Sequence, residues 1–338
     1  MSPFGYTRAE TVADAVRVAA SDARARFIAG GTNLVDLMKY NVEKPTHVVD
    51  INRLPLGGIS ATDGGGVRIG ALVSNSDLAY DERIATKYPL LASAILAGAS
   101  PQVRNAASTG GNLLQRTRCH YFYDASTPCN KREPGSGCPA ISGVNRIHAI
   151  LGTSEQCIAT HPSDMCVALA ALEAVVHVSG LEGDRSIAFS QFHRLPGAHP
   201  EIDNTLRQGE LIIAIELPPS RFATHYTYLK LRDRASYAFA LVSVAVGLDV
   251  DGSAVRSARI ALGGVAHKPW RVPEAETLLA GQEPTEQRFG EVADALLAGA
   301  RGYSRNAFKI DLARRAIVRA LRQAAAGTPQ SQSSKSIL

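Results

Sequence analysis

The sequence holds neither a G-x-G-x-x-G fingerprint nor a G-x-x-x-x-G-K-[ST] loop, which argues against a Rossmann dehydrogenase and a P-loop enzyme. No apolar run approaches the roughly 20 residues of a membrane-spanning helix, so no membrane insertion is expected. The N-terminal MSPFGYTRAETVADAV has no basic segment followed by an apolar stretch, and no signal peptide is predicted. Folding in the cytoplasm follows, with the periplasm reachable only by co-export with a signal-bearing partner. Basic runs are missing as well. The net charge is +5, but Lys and Arg are scattered without interleaved aromatics, which is no footprint for nucleic acid. Cysteine is scarce, five residues in all, and none forms the short C-x-x-C type of knuckle usual in structural zinc sites.

What is present is ordinary globular composition, 45% hydrophobic and 20% charged over 338 residues, enough for two or three domains. TVADAVRVAA and NLVDLMKY have helical periodicity, while RFIAG and THVVDI read as strands, giving a small βαβαβ unit over residues 1–55. GGISATDGGGVRIGA reads as two strands around a Gly-rich turn. The following stretch to Ser100 reads as helices, with Asn75 or Ser76 as the N-cap. SDMCVALAALEAVVHVSG runs from helix into strand, and GELIIAIELP is a strong strand, closing a second unit over residues 56–221. HYTYLKLR, ALVSVAVGLDV and SARIALGGVA form a strand meander, and two amphipathic helices follow, an α+β domain over residues 222–326. The polar tail, residues 327–338, is expected to be disordered.

Two glycine turns carry the first chemical signal. FIAGGTNL, residues 27–34, places Gly30, Gly31 and Thr32 between a strand and a helix start. Glycine there lets backbone N–H groups converge on an anion. ASTGGNLLQ, residues 107–115, repeats the recipe with Ser108, Thr109, Gly110, Gly111 and Asn112. Two separated turns of this kind suit a long, two-phosphate cofactor held between domains.

FIAGGTNLVDLMK, RNAASTGGNLLQ, HPSDM and YLKLRDRASYAFALVSVAV occur in that order. Together they resemble the FAD-binding subunit of molybdenum-containing hydroxylases, the xanthine dehydrogenase and carbon monoxide dehydrogenase family, over residues 3–325. The fold this implies is α+β. It is the FAD-binding fold of the vanillyl-alcohol oxidase and p-cresol methylhydroxylase type, followed by a C-terminal domain of antiparallel sheet and helices. The resemblance assigns Arg26, Phe27, Ile28, Ala29, Gly30, Gly31, Thr32, Asn33 and Leu34 to the FAD pyrophosphate, through backbone amides. It assigns Ser108, Thr109, Gly111, Asn112 and Arg118 to further cofactor contacts. Asp164 is similar to the acid that binds sugar hydroxyls, although by its own context it starts a helix. Lys230 matches a lysine near the flavin, where a cation stabilises the reduced anion, and Ile202 an apolar position beside the cofactor. No catalytic residue is expected in this chain.

The cysteines are spaced Cys119-x9-Cys129-x8-Cys138-x18-Cys157, in a segment rich in turns and charge. Cys166 differs, lying on an apolar helix as an ordinary buried thiol would. Core thiols, zinc and an iron–sulfur cluster are all compatible with four loop cysteines; four is the number that ligates [4Fe–4S]. Arg116, Arg118, Lys131 and Arg132 would offset the charge of such a cluster. The insert at residues 116–158 resembles those of two branches of the family, the bacterial periplasmic aldehyde oxidoreductases and 4-hydroxybenzoyl-CoA reductases, and is closer to the first. That resemblance implies a [4Fe–4S] cluster on Cys119, Cys129, Cys138 and Cys157. It also implies a heterotrimer with a large molybdopterin-binding partner that oxidises an aldehyde, a small [2Fe–2S] partner, and an external electron acceptor. The rival readings are a standalone FAD oxidase and a non-catalytic zinc module.

Overall fold

Strand and helix alternate from the start of the chain, and the computed structural model describes residues 1–331. Strands β1 (Gly5–Arg8), β2 (Ala25–Ile28) and β3 (His47–Asp50) pair in parallel in the order β1-β3-β2. Helices α1 (Val12–Ala20) and α2 (Leu34–Lys39) make the crossovers. Thr11 caps α1 by accepting from the Asp14 N–H, and the helix buries Ala15, Val16 and Ala19. The expected βαβαβ unit is therefore present, its first strand being GYTR.

A second sheet of five antiparallel-paired strands runs β4-β5-β8-β6-β7. Its strands are β4 (Ile59–Ala61), β5 (Val67–Gly70), β6 (Val175–Gly180), β7 (Gly183–Ala188) and β8 (Leu211–Leu217). Between β5 and β6 lie α3 (Asn75–Tyr80), α4 (Glu82–Lys87), α5 (Pro89–Ala97), α6 (Pro101–Ala106) and α7 (Thr109–Leu113). The cap of α3 is Ser74, not Asn75 or Ser76: its hydroxyl accepts from the Asp77 N–H at 3.0 Å. The cysteine segment is irregular apart from α8 (His120–Tyr123) and leads into α9 (Asp164–Ala171). Every residue of α9 is buried, so it is the interior helix against which α5, β10 and β11 pack. Helix α10 (Phe189–Phe192) closes the segment after β7.

The third sheet is an antiparallel meander, β11-β10-β9, made of β9 (Tyr226–Leu231), β10 (Val242–Asp251) and β11 (Ala254–Gly263). After the short α11 (Pro273–Glu276), α12 (Glu286–Leu296) and α13 (Phe308–Ala325) cover it and share its core. The predicted tail begins attached. The Thr328 N–H donates to Gln323 O at 2.9 Å and the Gln330 N–H to Thr227 Oγ1 at 2.8 Å. The rest of that expectation, residues 332–338, lies outside the described residues. No helix among the described residues is long and apolar enough to cross a membrane.

Candidate functional site

A cleft of about 1230 Å³ is lined by residues of the first and third sheets, of helices α5, α6, α7 and α9, and of the loop before β8. One wall is the turn between β2 and α2, and among the described residues the N–H groups of Gly30, Gly31, Thr32 and Asn33 meet no acceptor in the chain. Four successive unclaimed donors ahead of a helix suit a phosphate or pyrophosphate. Gly31 has φ +69° and so takes the left-handed conformation that the turn requires. At Gly30 the reason is approach: an added Cβ would lie 1.7 Å from Ala106 O at the end of α6.

The second glycine turn is built differently from the first. Its N–H groups are spent inside the chain: Thr109 to Val73 O, Gly110 to Ala71 O, Gly111 to Ser108 Oγ and Asn112 to Ser108 O. Thr109 also donates its hydroxyl to Val73 O at 2.8 Å and faces the core, not the cleft. Ser108, Gly111 and Asn112 do line the cleft, with Asn112 Oδ1 accepting from Ser163 Oγ at 2.5 Å. The turn thus supplies a shaped wall in place of a second anion cradle.

Asp164 and Lys230, assigned separately from sequence, are partners. Lys230 Nζ donates to Asp164 Oδ2 at 2.7 Å and to Ala97 O at 3.1 Å, and the Tyr228 hydroxyl donates to Asp164 Oδ1 at 2.7 Å. The N-cap role falls to Ser163, whose Oγ accepts from the Cys166 N–H at 3.1 Å. Asp164 keeps acceptor capacity on both oxygens, so the pair can present a carboxylate and an ammonium to one ligand. Asp164→Ala would leave Lys230 a buried charge without its counter-ion, a change that costs about 3–5 kcal/mol where such pairs are broken. The expected result is flavin-poor protein with a lowered melting temperature; full flavin content would show that this wall does not hold the cofactor.

Arg26 to Leu34, Arg118 and Ile202 also line the cleft. The guanidinium of Arg118 sits 4.8 Å from the Phe239 ring centroid and bonds the Tyr123 hydroxyl. Arg116 lines the cleft too, while Arg132 donates to the carbonyls of Tyr121, Phe122 and Thr127. Of the four cations expected to surround the cysteines, only Lys131 borders their pocket.

The structure brings Cys119, Cys129, Cys138 and Cys157 into one pocket, with Cys119, Cys129 and Cys157 buried. All four are free thiols. Burial pushes the Cys119 thiol up to about 12 and the Cys157 thiol to about 11. Free, they are protonated; a metal centre would have to displace those protons. His148 Nε2 lies 3.1 Å from Cys119 Sγ, and its Nδ1 is buried without a hydrogen-bond partner among the described residues. Leu37 of α2 packs into the same cluster, so the helix that follows the first glycine turn also backs the thiols.

Sequence reasoning passed over three histidines and an aspartate. His161, which lines the cleft, packs against His193 with ring centroids 4.4 Å apart and ring planes tilted by 56°, and ligand atoms of these two and Cys166 lie within 4.8 Å of one another. Burial, only partly offset by Asp203, pushes His193 and His267 down to about 4. In the unfolded chain they titrate near the ordinary 6.5, so between pH 6.5 and 4 the unfolded state binds more protons. Their contribution to stability is present above pH 6.5 and lost as pH falls towards 4. The melting temperature is expected to drop across that window, and His193→Phe to flatten the drop; an unchanged slope would remove His193 from the account.

A long cleft with a donor-lined turn at one end and an acid–ammonium pair in its wall defines a cofactor-binding protein of the diphosphate class. Comparison with known proteins narrows this. The FAD binding domain in molybdopterin dehydrogenase matches residues 2–220, and the CO dehydrogenase flavoprotein C-terminal domain matches residues 226–324. The chain belongs to this family: it is an FAD-binding medium subunit of a molybdenum hydroxylase of the xanthine dehydrogenase type. It is 53% identical over 327 residues to the aldehyde oxidoreductase FAD-binding subunit PaoB of Escherichia coli (strain K12), covering 96% of this chain and 99% of that one. It is 28% identical to the glyceraldehyde dehydrogenase medium chain of Sulfolobus acidocaldarius, over 86% of this chain and 85% of that one. The fold matches a solved carbon monoxide dehydrogenase from Hydrogenophaga pseudoflava with TM-score 0.76 and 27% identity, over 97% of this chain and 99% of that one. The architecture inferred from the sequence resemblance is the one observed.

Proposed function

We propose that this chain is the FAD- and [4Fe–4S]-binding electron-transfer subunit of a heterotrimeric, molybdenum-dependent aldehyde oxidoreductase. The observation that carries the reading is the gathering of Cys119, Cys129, Cys138 and Cys157 into one pocket that backs onto the helix of the FAD cleft. Four thiols with no disulfide among them form the donor set of a [4Fe–4S] cluster. The 53% identity to an aldehyde oxidoreductase subunit supports the reaction class. A large molybdopterin-binding partner takes an aldehyde and water to a carboxylic acid, releasing two protons and two electrons. The electrons pass through [2Fe–2S] clusters of a small partner to the FAD held here, and from there to an external acceptor.

Within the cleft, the turn Arg26–Leu34 holds the pyrophosphate and Asp164 accepts from sugar hydroxyls. Lys230, Ile202, Arg118, Ser108 and Asn112 complete the walls. We read the chain as three units, residues 1–55, 56–221 and 222–326, a reading supported by the presence of one sheet in each. We propose the periplasm as the final compartment, as in the branch that the cysteine insert resembles.

The test is co-expression with both partners, followed by visible and EPR spectra and turnover assays. Flavin absorbance, iron and acid-labile sulfide beyond that of the small partner, and oxidation of aromatic aldehydes are expected. Turnover of acyl-CoA thioesters in place of aldehydes would move the protein to the 4-hydroxybenzoyl-CoA reductase branch. Turnover by the isolated chain would instead make it a standalone oxidase.

A further inference from the structure

We propose that Lys131, Asp203 and Arg116 form a charge latch through which filling of the four-cysteine pocket sets the affinity of the cleft for FAD. The proposal rests on the reading of that pocket as a cluster site. All three are positioning residues: they act through the segments they hold.

The latch begins inside the cysteine insert. Lys131 lies two positions after Cys129, and its side chain is 1% exposed. Its ammonium is committed to the loop of residues 196–204, pairing with Asp203 Oδ1 and donating to Pro200 O at 2.6 Å. A buried ammonium holds its partners firmly, because no water is at hand to replace them. Asp203 is the centre. Its Oδ2 lies 2.5 Å from Arg116 Nε, its carbonyl accepts from the Arg194 N–H at 2.9 Å, and His267 Nε2 lies 3.6 Å from Oδ1. The same loop carries Ile202 into the wall of the cleft.

Arg116 completes the chain. Its backbone N–H donates to Asn33 Oδ1 at 2.9 Å, and its guanidinium pairs with Glu43, which in turn lies 3.6 Å from Arg26 Nε. The guanidinium also sits 5.0 Å from the ring centroid of Phe122, within the thiol cluster. Two ion pairs and one backbone hydrogen bond therefore join the segment that bears Cys129 to Asn33 in the glycine turn.

Metal ligation fixes the backbone on which Lys131 sits, and a four-thiolate cluster adds negative charge beside its ammonium. Both effects hold Lys131 in place, and with it Asp203, the Ile202 loop and Arg116. Filling one site thus favours the cleft geometry that the other ligand needs, and reciprocity requires FAD to favour cluster retention by the same factor.

The experiment uses the full complex with both partners. FAD affinity is read from the fluorescence of released flavin, and iron and acid-labile sulfide are measured on the same samples. Four proteins form a cycle: unaltered, Cys157→Ser, Asp203→Asn, and the double variant. Cys157→Ser and Asp203→Asn are each expected to weaken FAD binding by about 5–150-fold, the range of ordinary site-to-site coupling. Asp203→Asn should do so with its iron and sulfide retained, and the double variant should be no weaker than Cys157→Ser alone. Multiplying losses in the double variant, or unchanged FAD affinity in Asp203→Asn, overturn the latch and leave the cluster reading intact. Absence of iron and sulfide from this subunit in the unaltered complex overturns both. Lys131→Met with Asp203→Leu replaces the buried pair by apolar side chains and provides a second way to cut the latch without stranding a charge. It is expected to hold iron and bind FAD as weakly as Asp203→Asn; binding as tight as in the unaltered complex overturns the latch.

Discussion

Gly30→Ala is expected to yield a folded subunit that no longer retains FAD. The added Cβ would stand 1.7 Å from Ala106 O and 2.5 Å from Ala106 C, and both are backbone atoms at the end of α6. Neither can rotate aside as a side-chain tip would. The turn must swing away from α6, or α6 must move. Either change alters the distance between the donor-lined turn and the opposite wall of the cleft. Overpacking of this kind costs about 1–3 kcal/mol. If that falls on the bound geometry, it weakens cofactor binding by roughly 5–150-fold. Gly64→Ala is the matched control, because no atom of the described residues lies within 4 Å of a Cβ there. Flavin released by acid, per mole of subunit, separates the two. Equal retention in both variants would show that the turn is not the pyrophosphate cradle.

Replacing Cys119, Cys129, Cys138 or Cys157 by serine, one at a time, is expected to remove the iron and the acid-labile sulfide of this subunit together. Cys166→Ser should leave both in place. The comparison is fair because Cys157 and Cys166 are both buried thiols, at 5% and 0% exposure, so the cost of placing a hydroxyl inside is similar. What differs is the company each keeps. Cys157 shares its pocket with three other thiols, whereas Cys166 lies on α9 beside His161 and His193. A Cys166→Ser variant without iron would shift the ligand set towards that histidine group. Loss of iron in only some of the four variants would break the four-thiolate reading.

The sequence made much of this visible, and what it hid has a common cause. The first glycine turn could be read because its chemistry is local: a strand, two glycines, a helix start, and N–H groups that nothing nearby claims. The second turn has nearly the same residues, yet its amides are taken by Val73 and Ala71, which lie far back along the chain at the end of β5. No local pattern announces that. The separation of Cys166 from the other four was legible because polarity of neighbours tracks burial environment. Asp203 and His193 sit in irregular segments without periodicity, so nothing marked them until the fold placed Lys131 against one and His161 against the other. The shift of the α3 cap to Ser74 is a one-residue matter of which hydroxyl meets the Asp77 amide.

Helix α2 is only six residues long, and it serves as a party wall between two rooms. Its first turn opens on the flavin cleft, while Leu37 is mortared into the thiol cluster behind. The cysteine segment is therefore not an ornament that could be trimmed from the surface or grafted whole onto a relative. Excising residues 116–158 would strip the back of that wall, expose Leu37 to water, and take away the amide that steadies Asn33. Any chain of this fold without the insert has to brick up the same gap with other side chains. A transplant of the four-cysteine pocket into such a chain must carry the facing surface of α2 along with the cysteines.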